Sequence, residues 1–161
     1  MLAQLTVQDF AVVEYADVEF GPGMTCLTGE TGAGKSLLID ALSLALGSRS
    51  DNTLIREGKN RADVTAVFDT SALQKANRWL VEQSLIDTNA DCILRRTISR
   101  DGRSKAYINS RPVPVSSLQT LGALLVDIHG QNSHQSLSHA SVHRELLDHF
   151  SNSGKKNHEL K

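Results

Sequence analysis

Eight consecutive residues carry the strongest chemical signal in the chain. Gly29-Glu30-Thr31-Gly32-Ala33-Gly34-Lys35-Ser36 has the spacing G-x-x-x-x-G-K-[ST]. Glycines at this spacing let the backbone bend around a phosphate chain and turn several N–H groups toward it. A helix that starts at the end of the loop adds its partial positive charge. Lys35 supplies an ammonium for the β- and γ-phosphates. The Ser36 hydroxyl is an oxygen donor of the kind Mg²⁺ requires. The competing reading is a glycine-rich turn that merely opens a helix. The flanks argue against it, because an apolar run, "MTCLTG", precedes the loop and a helical pattern follows. Nucleoside triphosphate binding is therefore the first expectation.

Metal-assisted hydrolysis needs a carboxylate as well, usually on a neighbouring apolar strand. "ALLVDIHGQ" offers Asp127 after Leu124, Leu125 and Val126. If Asp127 is the Mg-associated acid, the chain is a self-contained P-loop kinase or NTPase. Ile128 follows it, however, where an acid would be needed to polarise water. Gln131 is a better candidate for reaching the metal and the attacking water from a loop.

Other clusters compete with bland explanations. Arg95, Arg96, Arg100, Arg103, Lys105 and Arg111 surround one acid, Asp101, and a DNA-phosphate patch is one reading. Alternation puts Arg96, Ile98 and Arg100 on one side of a strand and Arg95, Thr97 and Ser99 on the other. A solvated hairpin with local ion pairs is thus the preferred reading. His129, His134, His139, His143 and His149 crowd the last third, and His139 and His143 are spaced to share a helical face. No cysteine or tight carboxylate set completes a metal site. Asp127 with His129 lacks a nucleophile, which removes hydrolase chemistry of the triad kind.

The elements that must position the phosphate loop can be read from the pattern. "LAQLTVQDF" and "AVVEYADVEF" alternate as two strands with a turn near 9–11, and "GPG" is a second turn. "MTCLTG" reads as a buried strand that feeds the loop. Residues 35–46 carry Leu37, Leu38, Ala41, Leu42, Ala45 and Leu46 at helical spacing, with Gly47 as the stop signal. "RADVTAVFD" is a strand with Val64, Ala66 and Phe68 on one face. "SALQKANRWLVEQSL" is an amphipathic helix with Ser71 as its N-cap. "CILRRTIS" and "SKAYINS" flank the hairpin turn "RDGR". A short helix and then a strand over 124–128 follow, and a last helix starts near Ser138 or Ser141. This order departs from steady β-α-β-α alternation and suits an α/β lobe with an antiparallel sheet beside a nucleotide-binding core.

Composition sets outer limits. A chain of 161 residues with 40% apolar content is enough for one domain with a sizeable core. The formal charge of -1 gives no global field to recruit nucleic acid, so any basic surface must be local. Cys26 and Cys92 sit in apolar runs without metal-ligand spacing, which predicts buried free thiols in a reducing compartment. No apolar run approaches the ~18–20 residues that span a bilayer, and the N-terminus lacks the pattern of a signal peptide. A cytoplasmic location with no membrane partner is expected.

The chain resembles the N-terminal head segment of the bacterial RecN family of SMC-like, ABC-type DNA repair ATPases. "GETGAGKS", "LIREGKNRADVTAVF", "LRRTISRDGRSKAYINSRPVP", "LLVDIHGQNSHQSL" and "HRELLDHF" carry the resemblance in this order, from residue 1 to about 150. It implies an α/β fold of the P-loop NTPase type, an ABC-type ATPase head lobe with an antiparallel β subdomain. Residues 1–150 would be the N-terminal half of the head, holding the phosphate loop and glutamine loop. Residues 151–161 would be a polar tail, the start of a truncated coiled coil. ATP and Mg²⁺ are the implied ligands. The resemblance assigns Gly29, Glu30, Thr31, Gly32, Ala33, Gly34, Lys35, Ser36 and, more loosely, Arg56 to the nucleotide, Lys35 and Gln131 to catalysis, and Ser36 and Gln131 to the metal. It demotes Asp127 to a strand-end residue.

The implied partners are DNA through the full-length protein, the C-terminal head segment with its signature and Asp-Glu pair, and a second head in a homodimer. Nucleoid association follows from the same resemblance. Those C-terminal motifs are not found here, so the chain alone is expected to bind ATP and not to hydrolyse it. Two departures stand out. Ser110 replaces the usual glycine after Asn109, which predicts a looser turn, and Asn132-Ser133 replaces a more histidine-rich stretch.

Overall fold

The computed structural model describes residues 1–29, 34–86 and 91–128. Met1–Val126 form one compact unit, and Asp127 and Ile128 belong to a second, Asp127–Lys161, whose remainder lies outside the described residues. The first unit is built on a sheet of six strands: β1 (Leu2–Phe10), β2 (Val13–Glu19), β3 (Arg61–Asp69), β4 (Asp91–Ser99), β5 (Ser104–Ile108) and β6 (Arg111–Val113). Their order is β2-β1-β3-β4-β5-β6, and every neighbouring pair is antiparallel. The helices are α1 (Lys35–Ala45), α2 (Gln74–Glu82) and α3 (Val115–Leu125).

Alternation along the strands makes one face of the sheet apolar. Leu5, Ala66, Leu94 and Ile108 form one row across β1, β3, β4 and β5, all fully buried. Val7, Val64, Arg96 and Ala106 form the next. Helix α1 covers this face over β1, β3 and β4 through Ala41, Leu44 and Ala45, while α3 covers β5 and meets α2. Each large apolar side chain so buried contributes about 1.5–3 kcal/mol relative to exposure. Asp9 breaks the alternation of β1: its left-handed backbone, φ 52°, turns Phe10 into the core.

Helices α1 and α3 meet through glycine. A Cβ on Gly47 would stand 2.7 Å from the Gln119 side chain and 2.8 Å from its backbone nitrogen, and φ is 97° there. The Gln119 amide donates to the Gly47 carbonyl at 2.9 Å, closing the join. The stop signal read at Gly47 is thus also a packing requirement.

Several sequence expectations are corrected. "MTCLTG" is not a strand: residues 24–29 are coil, with Met24 97% exposed. A strand needs partners for its N–H and C=O groups, and none of the six strands pairs with this segment. Cys26 is consequently exposed, whereas Cys92 is buried as expected. Leu124 and Leu125 belong to α3 rather than to a strand over 124–128, because the helical face set by Leu118, Leu121 and Gly122 continues through them. Ser71 does not cap α2. Its N–H donates to the Asp69 carboxylate at 2.9 Å, Leu73 N–H closes a turn onto the Thr70 carbonyl, and the helix starts only at Gln74.

Strand β6 went unread because its three residues include Pro112. The turn before it is tight rather than loose. Asn109 and Ser110 both have positive φ, 47° and 64°. Asn109 holds the turn by accepting from Ile93 N–H and donating to the Leu85 carbonyl, each at 2.8 Å.

Candidate nucleotide site

Gly34 is the pivot of the phosphate loop. It caps α1 with φ 87° and ψ 2°, a left-handed conformation that side chains disfavour. A Cβ there would meet nothing within 4 Å, so backbone conformation and not space selects glycine. Among the described residues no side chain caps the helix, and its first turn holds no acid. The leading N–H groups of α1 lack intrahelical acceptors and are the groups that a phosphate would meet.

Lys35, the first residue of α1, donates from Nζ to the Gly29 carbonyl, so the ammonium ties the two ends of the loop together. Ser36 is exposed on the first helical turn, where its hydroxyl is accessible as an oxygen ligand. The described part of the loop thus brings together Gly29, Gly34, Lys35 and Ser36. Glu30, Thr31, Gly32 and Ala33 lie outside the described residues, as does Gln131. His129, His134, His139, His143 and His149 and the helix read near Ser138 or Ser141 are outside them too.

The described side-chain contacts of Arg56 lie on the β1–β2 hairpin. Its guanidinium donates to the Val12 carbonyl and stands 3.5 Å from Glu14. Backbone bonds pin the same tip: Ala11 N–H to Leu54 O at 2.8 Å and Arg56 N–H to Asp9 O at 2.9 Å. Lys59 pairs with Asp9 at 3.2 Å. Two strained residues, Asp9 and Ala11 (φ 49°), are held in place by these contacts. Sequence reasoning singled out Arg56 but missed the clamp around it. A cavity of about 610 Å³ beside the tip is lined by Ala11, Val12, Asn52, Thr53, Ile55, Glu57 and Arg100. None of these residues belongs to the glycine loop, so size alone does not make this cavity the phosphate site.

Most of the basic hairpin resolves into local pairs, as the solvated reading expected, but Arg96 is a correction to it: the residue is buried in the apolar face of the sheet. Asp63 accepts from Arg95 Nη2 at 2.8 Å and from the Thr97 hydroxyl at 2.6 Å, and pairs with Arg61 at 2.7 Å. Arg103 pairs with Asp101 at 3.3 Å, and Arg100 donates to the Lys59 carbonyl. Arg95 also lies over the Tyr107 ring at 6.0 Å. Asp127 follows α3 in coil and does not end a described strand, so the geometry expected of a strand-borne acid is not found.

A phosphate-loop helix packed on an antiparallel sheet is consistent with the fold of P-loop ATPases. The AAA domain family matches residues 4–159, and the chain belongs to it. It matches the N-terminal part of the DNA repair protein RecN. It is 47% identical to RecN of Vibrio cholerae over 150 residues, covering 93% of this chain and 27% of that protein. It is 39% identical to RecN of Bacillus subtilis over 150 residues, covering 93% of this chain and 26% of that protein. The chain thus spans about a quarter of the length of the curated relatives it matches.

Solved structures agree on the fold. An SMC ATPase studied for ATP-driven dimerization and DNA-stimulated activation aligns with a TM-score of 0.65 at 20% identity, over 91% of this chain and 96% of that one. The Smc head domain of Pyrococcus furiosus gives 0.63 at 22% identity, over 76% and 32% of the respective chains. The recombination mediator RecF gives 0.57 at 16% identity, over 73% and 29%. The self-contained kinase reading built on Asp127 is not favoured by these relatives.

Proposed function

We propose that this chain is the ATP-binding N-terminal half of a DNA repair ATPase head. The observation that carries the reading is the start of α1: a left-handed Gly34 at its N-cap and Lys35 bent over the Gly29 carbonyl. Such a helix start receives phosphate oxygens through its N–H groups while the ammonium neutralises their charge. Arg56, held at the hairpin tip through the Val12 carbonyl, is a further contact in this reading. The exposed Ser36 hydroxyl fits as a Mg²⁺ ligand, with Gln131 as the second expected donor. Mg²⁺ held there would supply positive charge against the phosphates.

In this reading ATP is held but not cut by the chain alone. The groups that complete the site come from the C-terminal head segment and a second head, and the whole protein acts on DNA in double-strand-break repair in the cytoplasm, at the nucleoid. The RecN relatives and the SMC ATPase described for ATP-driven dimerization support this. Among the described residues no helix is long and apolar enough to cross a membrane.

Titration with ATP and Mg²⁺ tests the reading. Saturable binding by the wild-type chain and a loss of about tenfold or more in Lys35→Ala are expected. Rapid Lys35-dependent turnover by the chain alone would overturn the half-head assignment and return the kinase reading.

A further inference from the structure

Arg96 is only 3% exposed, and its Nε and Nη1 are buried with no hydrogen-bond partner. Its same-face neighbours in the sheet are all buried and apolar: Leu94 and Ile98 along β4, Val64 on β3 and Ala106 on β5. The acids on the described helices, Asp40 of α1 and Glu82 of α2, are both exposed. Arg95, one residue away on the opposite face, has Asp63 at 2.8 Å. Burial lowers the pKa of the Arg96 guanidinium, yet arginine does not give up its proton in proteins. An unpaired charge in apolar surroundings is strongly destabilising, and an apolar side chain of similar volume would be the better filler. A carboxylate fits a planar guanidinium in such a place, taking one of the two orphaned donors together with Nη2, because Nε and Nη1 lie on different edges of the group.

We infer that Arg96 is the receptor for a carboxylate carried by the part of the head that follows this chain in its relatives, and that this ion pair anchors the two halves to each other. The inference rests on the half-head reading above. The length of the relatives supplies the occupant: about three quarters of each lies beyond the matched part, since this chain covers 27% of Vibrio cholerae RecN.

The test uses the 161-residue chain and the C-terminal part of Vibrio cholerae RecN as a separate polypeptide, with association followed by calorimetry. Wild type is expected to bind. Arg96→Met should weaken binding by about tenfold or more, and Arg96→Lys by less. Without the second polypeptide, Arg96→Met should raise the Tm of the chain, because it removes an unpaired charge. Equal binding by wild type and Arg96→Met, or a lowered Tm in the free chain, overturns the inference while leaving the half-head reading intact. No binding by wild type removes both. An ATP affinity that falls in Arg96→Met without the second polypeptide identifies a nucleotide phosphate as the occupant and also overturns it.

Discussion

The sheet with its helices and the segment leading into the phosphate loop are built on opposite principles. In the sheet each strand finds a neighbour, and rows such as Leu5, Ala66, Leu94 and Ile108 close a dry core. Residues 24–29 are similarly apolar in sequence, yet they lie in coil with Met24 and Leu27 exposed. The difference teaches that apolar composition does not make a strand. A strand forms where another backbone can take up its N–H and C=O groups, and the antiparallel sheet supplies such edges only to its own members.

The sharpest way to break this comparison is to truncate one residue on each side. Phe68→Ala should cost about 3–5 kcal/mol, since it empties a fully buried site. Met24→Ala should change stability by no more than about 0.5 kcal/mol. Chemical denaturation of both variants checks the pair, and a large effect of Met24→Ala would mean the segment is folded against the core.

A smaller effect is expected within the sheet. Ser110 sits at φ 64°, a conformation glycine adopts without penalty. Ser110→Gly should stabilise the chain by about 0.5–1 kcal/mol, the relief of strain less the added freedom of the unfolded chain. A lower denaturation midpoint in this variant would show the turn to be held by something other than the Asn109 bonds.

The smallest effect is electrostatic. The Ser71 side chain, then its backbone N–H, bonds to Asp69 and lowers the pKa of this carboxyl from 3.8. Its contribution is present above pH 3.8 and is lost as the pH falls through the lower folded value. Asp69→Asn should therefore flatten the acid limb of the stability curve below that pH and leave its shape near neutrality unchanged, as measured by thermal unfolding across an acid pH series.

Thiol reactivity separates the two regions directly. Cys26 is exposed, while burial pushes the Cys92 thiol up to about 12. A maleimide should label Cys26 in the native chain and reach Cys92 only on unfolding.

Much was legible before any coordinates. The spacing of residues 29–36 with its helix, the strand Val64-Ala66-Phe68 and the "RDGR" hairpin all follow from local rules: a glycine loop, period-two alternation and a turn dipeptide. Alternation even separated Arg95 from Arg96, although it gave no hint that one would meet Asp63 and the other nothing. What only the tertiary structure decided depends on distant partners. Whether "MTCLTG" pairs, and that Arg56 clamps the tip at Val12 and Glu14, are settled by contacts across tens of residues. Local sequence chooses the conformations a segment can adopt; the groups brought beside it by the rest of the chain choose among them, because a buried polar group or backbone amide is stable only when something satisfies it.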